Sequence, residues 1–274
     1  MKRAAIVIAV LGMCMGSFGQ DKPAAQSAAG AGQTAAAAPQ GKRSPAAKTQ
    51  PEFEAYKTAA ALTDPAQLEK AAGDFATKFP DSELRILLYR EAMHGYQNAN
   101  NGDKMEEMGR KALAIDPDDP EALLAVAQVL AEGTRDTDID RDQKVAEAKK
   151  NADRALVTID TDVSTMNNTP ERVDQYKRFL KSEAYAILGT LASNAKNYAE
   201  AETNLKKSVE VFPEQVDSVA VLRLAVALDM QNKIPDALKY ANQAVDLTKD
   251  HPDSPAGKAA RAEQDRLTKL NGGK

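Results

Sequence analysis

One short stretch holds oxygen ligands of the kind a hard cation takes. In Asp136-Thr137-Asp138-Ile139-Asp140-Arg141-Asp142 carboxylates alternate, and Glu147 lies eleven residues after Asp136. That is the spacing of a calcium loop, where alternate oxygens and a terminal glutamate wrap the ion. The sixth position of such a loop needs glycine for its sharp turn, and here it is Arg141, whose guanidinium would face the cation. The plainer expectation is a surface loop in which Asp140 or Asp142 caps the following helix. Asp136, Asp138, Asp140 and Glu147 stay as the candidate metal set beside it.

Other reactive groups are sparse. The 274 residues include one cysteine, Cys14, and two histidines, His94 and His251. A single cysteine excludes a disulfide framework and any multi-cysteine metal site. Neither histidine has a sequence partner that suggests a triad or a zinc centre. Gly41-Lys42-Arg43-Ser44 has the tail of a phosphate loop but lacks the leading glycine. A dinucleotide fingerprint, a nucleophile elbow and a paired-histidine motif are also missing. The expectation is a non-catalytic chain with no cofactor.

Composition divides the chain into three zones. Residues 1–20 read as an export signal, with Lys2 and Arg3 ahead of a short apolar run and small residues at Gly16-Ser17-Phe18-Gly19. Met13 is too large for the position before a lipidated cysteine, so anchoring through Cys14 is not expected. Residues 21–50 hold eleven alanines, four glutamines, three prolines and three glycines, with no Leu, Ile, Val, Met or aromatic residue. Such a segment buries too little apolar surface to offset its ordering entropy, and a disordered tether is expected. Its net charge of +3 fits a solubilising linker first, and beside that a weak contact with an anionic envelope surface. Residues 51–274 hold the fold. With +2 on the first zone and +3 on the second, the chain's −4 leaves −9 on this body. An acidic body argues against nucleic-acid binding. No later run approaches the roughly 20 apolar residues of a membrane span. Aromatics at 5% and the absence of tryptophan disfavour a β-sandwich or barrel.

The body repeats. Tyr185-x2-Leu188-Gly189-x2-Ala192-x8-Ala201-x3-Leu205-x2-Ser208-x4-Pro213 reads as two helices with small and apolar residues at helical spacing and a proline at the end. The frame recurs at Tyr89, Ala92, Met93 and Tyr96, then Met105, Gly109 and Ala112 before Pro117. It recurs again at Leu123, Val126, Ala127 and Leu130, with a late second helix at Ala148, Ala152, Ala155 and Leu156. Val221, Leu224, Ala225 and Leu228, followed by Ala237, Ala241 and Ala244, make a further copy. Glu52 to Pro80 is the weakest, with Leu68, Ala72 and Phe75 on its second helix. Thr158 to Pro170 reads as a long connection, and the helix before Ala192 as beginning near Glu171. From Pro255 onward, alanines and leucines alternating with charges suit a terminal capping helix.

This pattern resembles the 34-residue tetratricopeptide repeat (TPR), a helix–turn–helix unit. The resemblance implies an all-α solenoid of about five antiparallel helix pairs over residues 51–274, with small residues where two helices approach closely. It also implies a concave groove, lined by the first helices, that takes a peptide or helix from another protein. The groove positions carried over are Arg90, His94, Gln97, Gln128, Thr190, Asn194, Arg223 and Asp229, with Val226 beside them. The lysine–asparagine clamp of the chaperone-binding members is missing. The expectation is an exported scaffold, periplasmic or secreted, whose partner is a protein. The alternatives are a purely structural spacer, a calcium module using residues 136–147, or an envelope-assembly factor. For the latter, Phe79-Pro80-Asp81-Ser82 looks like the repeat endings of bacterial outer-membrane-assembly lipoproteins.

Overall fold

The computed structural model describes residues 42–163 and 169–272. The signal, the Cys14 site and residues 21–41 lie outside them. The described residues form eleven α-helices, a short 3-10 turn at Pro213–Gln215 and no strand. The helices are α1 (Gln50–Ala60), α2 (Pro65–Lys78), α3 (Arg85–Asn98), α4 (Gly102–Leu113), α5 (Pro120–Gly133), α6 (Arg141–Asp162), α7 (Pro170–Asn194), α8 (Tyr198–Val211), α9 (Ser218–Asp229), α10 (Ile234–Leu247) and α11 (Pro255–Gly272).

The starts and stops follow local chemistry. Thr49, Asp64, Asn101, Asp119, Thr169, Asn197 and Asp217 each accept an orphan N–H of the helix they precede. Prolines occupy the first turns of α2, α5 and α7, where a missing N–H costs nothing. In three pairs the turn between helices is the same. Asn100, Lys196 and Asn232 stand at φ 54°, 60° and 58°. The next N–H of each then reaches back to the carbonyl of Tyr96, Ala192 or Leu228, at 2.9, 2.9 and 3.0 Å.

Each odd-numbered helix from α1 to α9 packs on the next even one, giving five pairs, and α11 closes the array against α10 and α9. The small residues sit where the resemblance implies. Ala92, Ala112, Ala152, Ala201 and Ala241 are fully buried, so neighbouring backbones approach closely. Between them Leu88, Met108, Val126, Ile159, Leu205, Leu224 and Leu267 fill a core that runs the length of the array. The central helix α5 is apolar almost all round, from Ala122 to Ala131, because it meets α3, α4, α6 and α7.

Three expectations are corrected. Residues 42–50 pack on the body. Thr49 forms a capping box with Glu52, Gln50 opens α1, and Lys42, Arg43 and Lys48 contact later turns. Composition misses this because polar contacts hold most of the segment, with only the small Ala47 packed against the core. The connection after Thr158 is shorter than its sequence suggests, since α6 continues to Asp162. Asp140 stands at the N-cap of α6 without a side-chain capping bond; its carboxylate turns to Lys144 at 3.0 Å.

Candidate binding groove

The first helices of successive pairs touch one another: α1 with α3, α3 with α5, α5 with α7, α7 with α9, and α9 with α11. Among the described residues the second helices stand further apart and meet through long side chains, as Glu69 of α2 does Lys104 of α4 at 2.8 Å and Arg110 of α4 does Glu147 of α6 at 2.6 Å. The outward faces of the first helices thus form one continuous surface, the side that the tetratricopeptide resemblance implies to be concave.

At the centre of this surface is a charged cluster. Arg90 of α3 meets Glu121 of α5 and lies 3.4 Å from Asp119. The Nε2 of His94 is 2.8 Å from the other oxygen of Glu121. Both carboxylates are nearly inaccessible, with side chains 6% and 8% exposed, so these partners stand in for the water that burial removes. Asp119 also accepts the Ala122 N–H at 2.8 Å, which fixes it as the cap of α5. The Arg90 Nε is buried with no hydrogen-bond partner among the described residues. Burial, reinforced by the Arg90 charge, lowers the His94 pKa below its ordinary value despite the opposing pull of Glu91, Gln97 and Asp119. Facing a carboxylate oxygen, Nε2–H is the donor of this bond. The early start of α7 brings in Tyr176, whose phenol burial pushes well above its ordinary pKa while Arg90 opposes the shift.

Four of the remaining expected groove residues, Thr190, Asn194, Arg223 and Asp229, link neighbouring helices. Arg223 of α9 donates to the Thr190 hydroxyl of α7 at 2.8 Å. Asn194 donates to the Ala131 carbonyl at the end of α5 at 3.2 Å. Asp229 of α9 pairs with Arg266 of α11. Gln97 bonds His94 on the same helix, and Gln128 is part-buried on α5. Val226 of α9 and Met230, the C-cap residue one turn on, are exposed apolar side chains. The sequence reading missed Asp119, Glu121, Tyr176 and Arg266. A signal existed for two of them: Glu121 follows Arg90 by 31 residues and Arg266 follows Asp229 by 37, each about one repeat.

The acidic quartet is not gathered. Arg141 takes Asp136 and Asp142, Lys144 takes Asp138 and Asp140, and Glu147 turns away to Arg110 of α4 at 2.6 Å. Among the described residues no group of three or more His, Cys, Asp or Glu is arranged to hold a metal ion. A separate cleft of about 590 Å³ lies between the α4–α5 turn and α6, lined by Leu113, Pro117, Leu123 and Val157 with Asp118 and Arg154 at its rim.

Stacked helix pairs, a repeated tight turn and small residues at the crossings together settle the architecture. The fold is an all-α solenoid of antiparallel helix pairs, as the tetratricopeptide resemblance implies. No family model matches the chain, and no curated protein matches it. Solved structures similar to it include that of the MamA protein, at 15% identity over 74% of this chain and 97% of that one, with a TM-score of 0.48. PilF of Pseudomonas aeruginosa is 17% identical over 80% and 94% of the two chains, also with a TM-score of 0.48. PilW, described as a widely conserved type IV pilus biogenesis factor, is 19% identical over 77% and 98%, with a TM-score of 0.39. Among the described residues no helix is long and apolar enough to cross a membrane.

Proposed function

We propose that the chain is a non-catalytic interaction scaffold of the bacterial cell envelope, and that the concave face of its solenoid takes a peptide or helix of a partner protein. The observation that carries this reading is the inner face itself. It presents the Arg90–Glu121–His94 cluster, the Arg223–Thr190 link and the exposed Val226 and Met230 on adjacent first helices. Polar groups that fix register beside apolar side chains that supply contact area are what a bound helix or strand needs. The expected export signal and the basic segment after it support an envelope location.

A photo-crosslinking residue placed at Gln128 tests it. In cells it should capture a defined protein that an equivalent residue at Lys239, exposed on α10, does not. Arg90→Glu with Arg223→Glu should abolish the capture. Equal capture from both positions, or capture indifferent to the charge reversals, defeats the reading.

A further inference from the structure

Three repeat junctions lie along one edge of the array, and residues 42–48 run across all of them. The Lys42 N–H donates to the Thr161 carbonyl of α6 at 2.9 Å. Its ammonium lies 2.5 Å from Asp116 in the α4–α5 turn and 3.1 Å from Asp162 at the end of α6. Arg43 grips Glu83, before α3, with bonds of 2.7 and 2.8 Å to its two oxygens. Lys48 donates to the Asp81 carbonyl at 2.7 Å. In a solenoid each repeat contacts only its neighbours. This segment instead ties the ends of the first three pairs to one short stretch of chain.

The α4–α5 turn joins that edge to the groove. Asp116 accepts the Asp118 N–H on its side chain at 3.3 Å and the Asp119 N–H on its carbonyl at 3.2 Å. Asp119, three residues on from the Lys42 contact, faces Arg90 from the inner side. One turn therefore carries the Lys42 contact on its outer side and a wall of the charged cluster on its inner side.

We propose that residues 42–48 are a strap that positions the Arg90–Glu121–His94 cluster through the Asp116–Asp119 turn, and so regulates the groove. With the strap seated, the turn holds Asp119 against Arg90. With it lifted, the turn relaxes and the cluster opens to water. The strap's ion pairs are part-exposed, hence weak and salt-screened, so it lifts without unfolding the helices beneath. As regulation of binding, the proposal rests on the groove reading above; as a coupling within the fold, it can be tested without a partner.

The test uses the full chain and the two histidines. The groups facing His94 are Arg90, Glu91 and Gln97 from its own helix and Asp119 and Glu121 from α5. Proton NMR follows His94 and His251 through a pH titration in the wild type and in Lys42→Ala/Arg43→Ala. The expected result is that the variant's His94 midpoint rises while that of His251, in the terminal loop, stays fixed. The amide signals of Asp116 to Glu121 shift with it, and raised salt moves the wild type the same way. Should the double variant fold poorly, Glu83→Gln and the salt series on the wild type give the same readout. Unchanged His94 curves and amide signals in both overturn the proposal. A His94 shift together with partner capture indifferent to Arg90→Glu keeps the strap and removes the groove reading.

Discussion

Gly189 of α7 and Leu205 of α8 meet in close contact within the fold's fourth pair: a Cβ at 189 would fall 2.5 Å from the Leu205 Cγ and 3.3 Å from its backbone nitrogen. The crossing distance is set by the missing side chain. Gly189→Ala is therefore expected to destabilise the chain by about 1–3 kcal/mol, the usual cost of overpacking, reduced by the better helix propensity of alanine. Gly73 of α2 is the control, since a methyl group there would meet nothing within 4 Å. Gly73→Ala should stabilise by roughly 0.5–1 kcal/mol. Urea unfolding of both variants checks the pair, and equal shifts in one direction would refute the argument.

Lys196 is the odd residue among three equivalent turns. Asn100 and Asn232 take the left-handed conformation that asparagine tolerates, whereas Lys196 takes it at φ 60° with a long side chain. Lys196→Gly is expected to raise stability by about 1 kcal/mol, and Lys196→Asn by somewhat less. Thermal melts of the two variants test this, and neither should alter the circular dichroism of the native state.

Glu202 concentrates three donors on the outer side of α8. Lys206 and Lys233 each reach it at 2.6 Å and the Gln231 amide at 2.9 Å. Burial alone would raise its pKa, but these bonds outweigh burial and bring it to about 2. Its folded pKa is below its unfolded value of 4.5. The stabilisation is thus complete above the ordinary carboxylate range and is lost as pH falls toward 2. Glu202→Gln should be less stable than the wild type at neutral pH, and the gap should close on acidification. Denaturant midpoints across that window decide it; a constant gap would show that the charge plays no part.

The loop at 134–140 should bind no calcium. Its carboxylates already have lysine and arginine partners, and Glu147 serves Arg110. A calorimetric titration with Ca²⁺ should stay flat, and Asp138→Ala should leave unfolding unaffected by calcium. Glu147→Ala should cost no more than about 1 kcal/mol, as for other part-exposed ion pairs. Measurable heat that vanishes in Asp138→Ala would restore the metal reading.

Much of the fold was legible because the repeat writes its packing into residue size. The run from Tyr185 to Pro213 marks its close crossings with Gly189, Ala192 and Ala201 and its filler with Leu205, and all four stand where that pattern implies. The groove side chains were legible as positions but not as partners. Nothing in the local sequence says that Arg90 will choose Glu121, because the choice depends on how α3 and α5 are juxtaposed. The strap was illegible for a related reason. Lys42 lies in a stretch without large apolar residues, and its partner Asp116 is 74 residues away.

The Arg90–Glu121 pair should carry a large coupling energy, because the buried Glu121 carboxylate cannot recruit water in place of its partner. Glu121 is almost fully buried and accepts from both Arg90 and His94, while Arg90 also serves Asp119. Arg90→Ala leaves two buried carboxylates short of a counter-charge, and a loss of about 3 kcal/mol is expected. Glu121→Ala strands the guanidinium less severely, since Asp119 and the open groove remain to it. The double variant Arg90→Met/Glu121→Leu should recover much of the single losses, because matched apolar groups carry no desolvation penalty. A double-mutant cycle by urea unfolding should give a coupling of roughly 1–3 kcal/mol. Additive losses would mean that the two side chains stabilise the array separately, and the cluster would then be a meeting of neighbours without a shared charge balance.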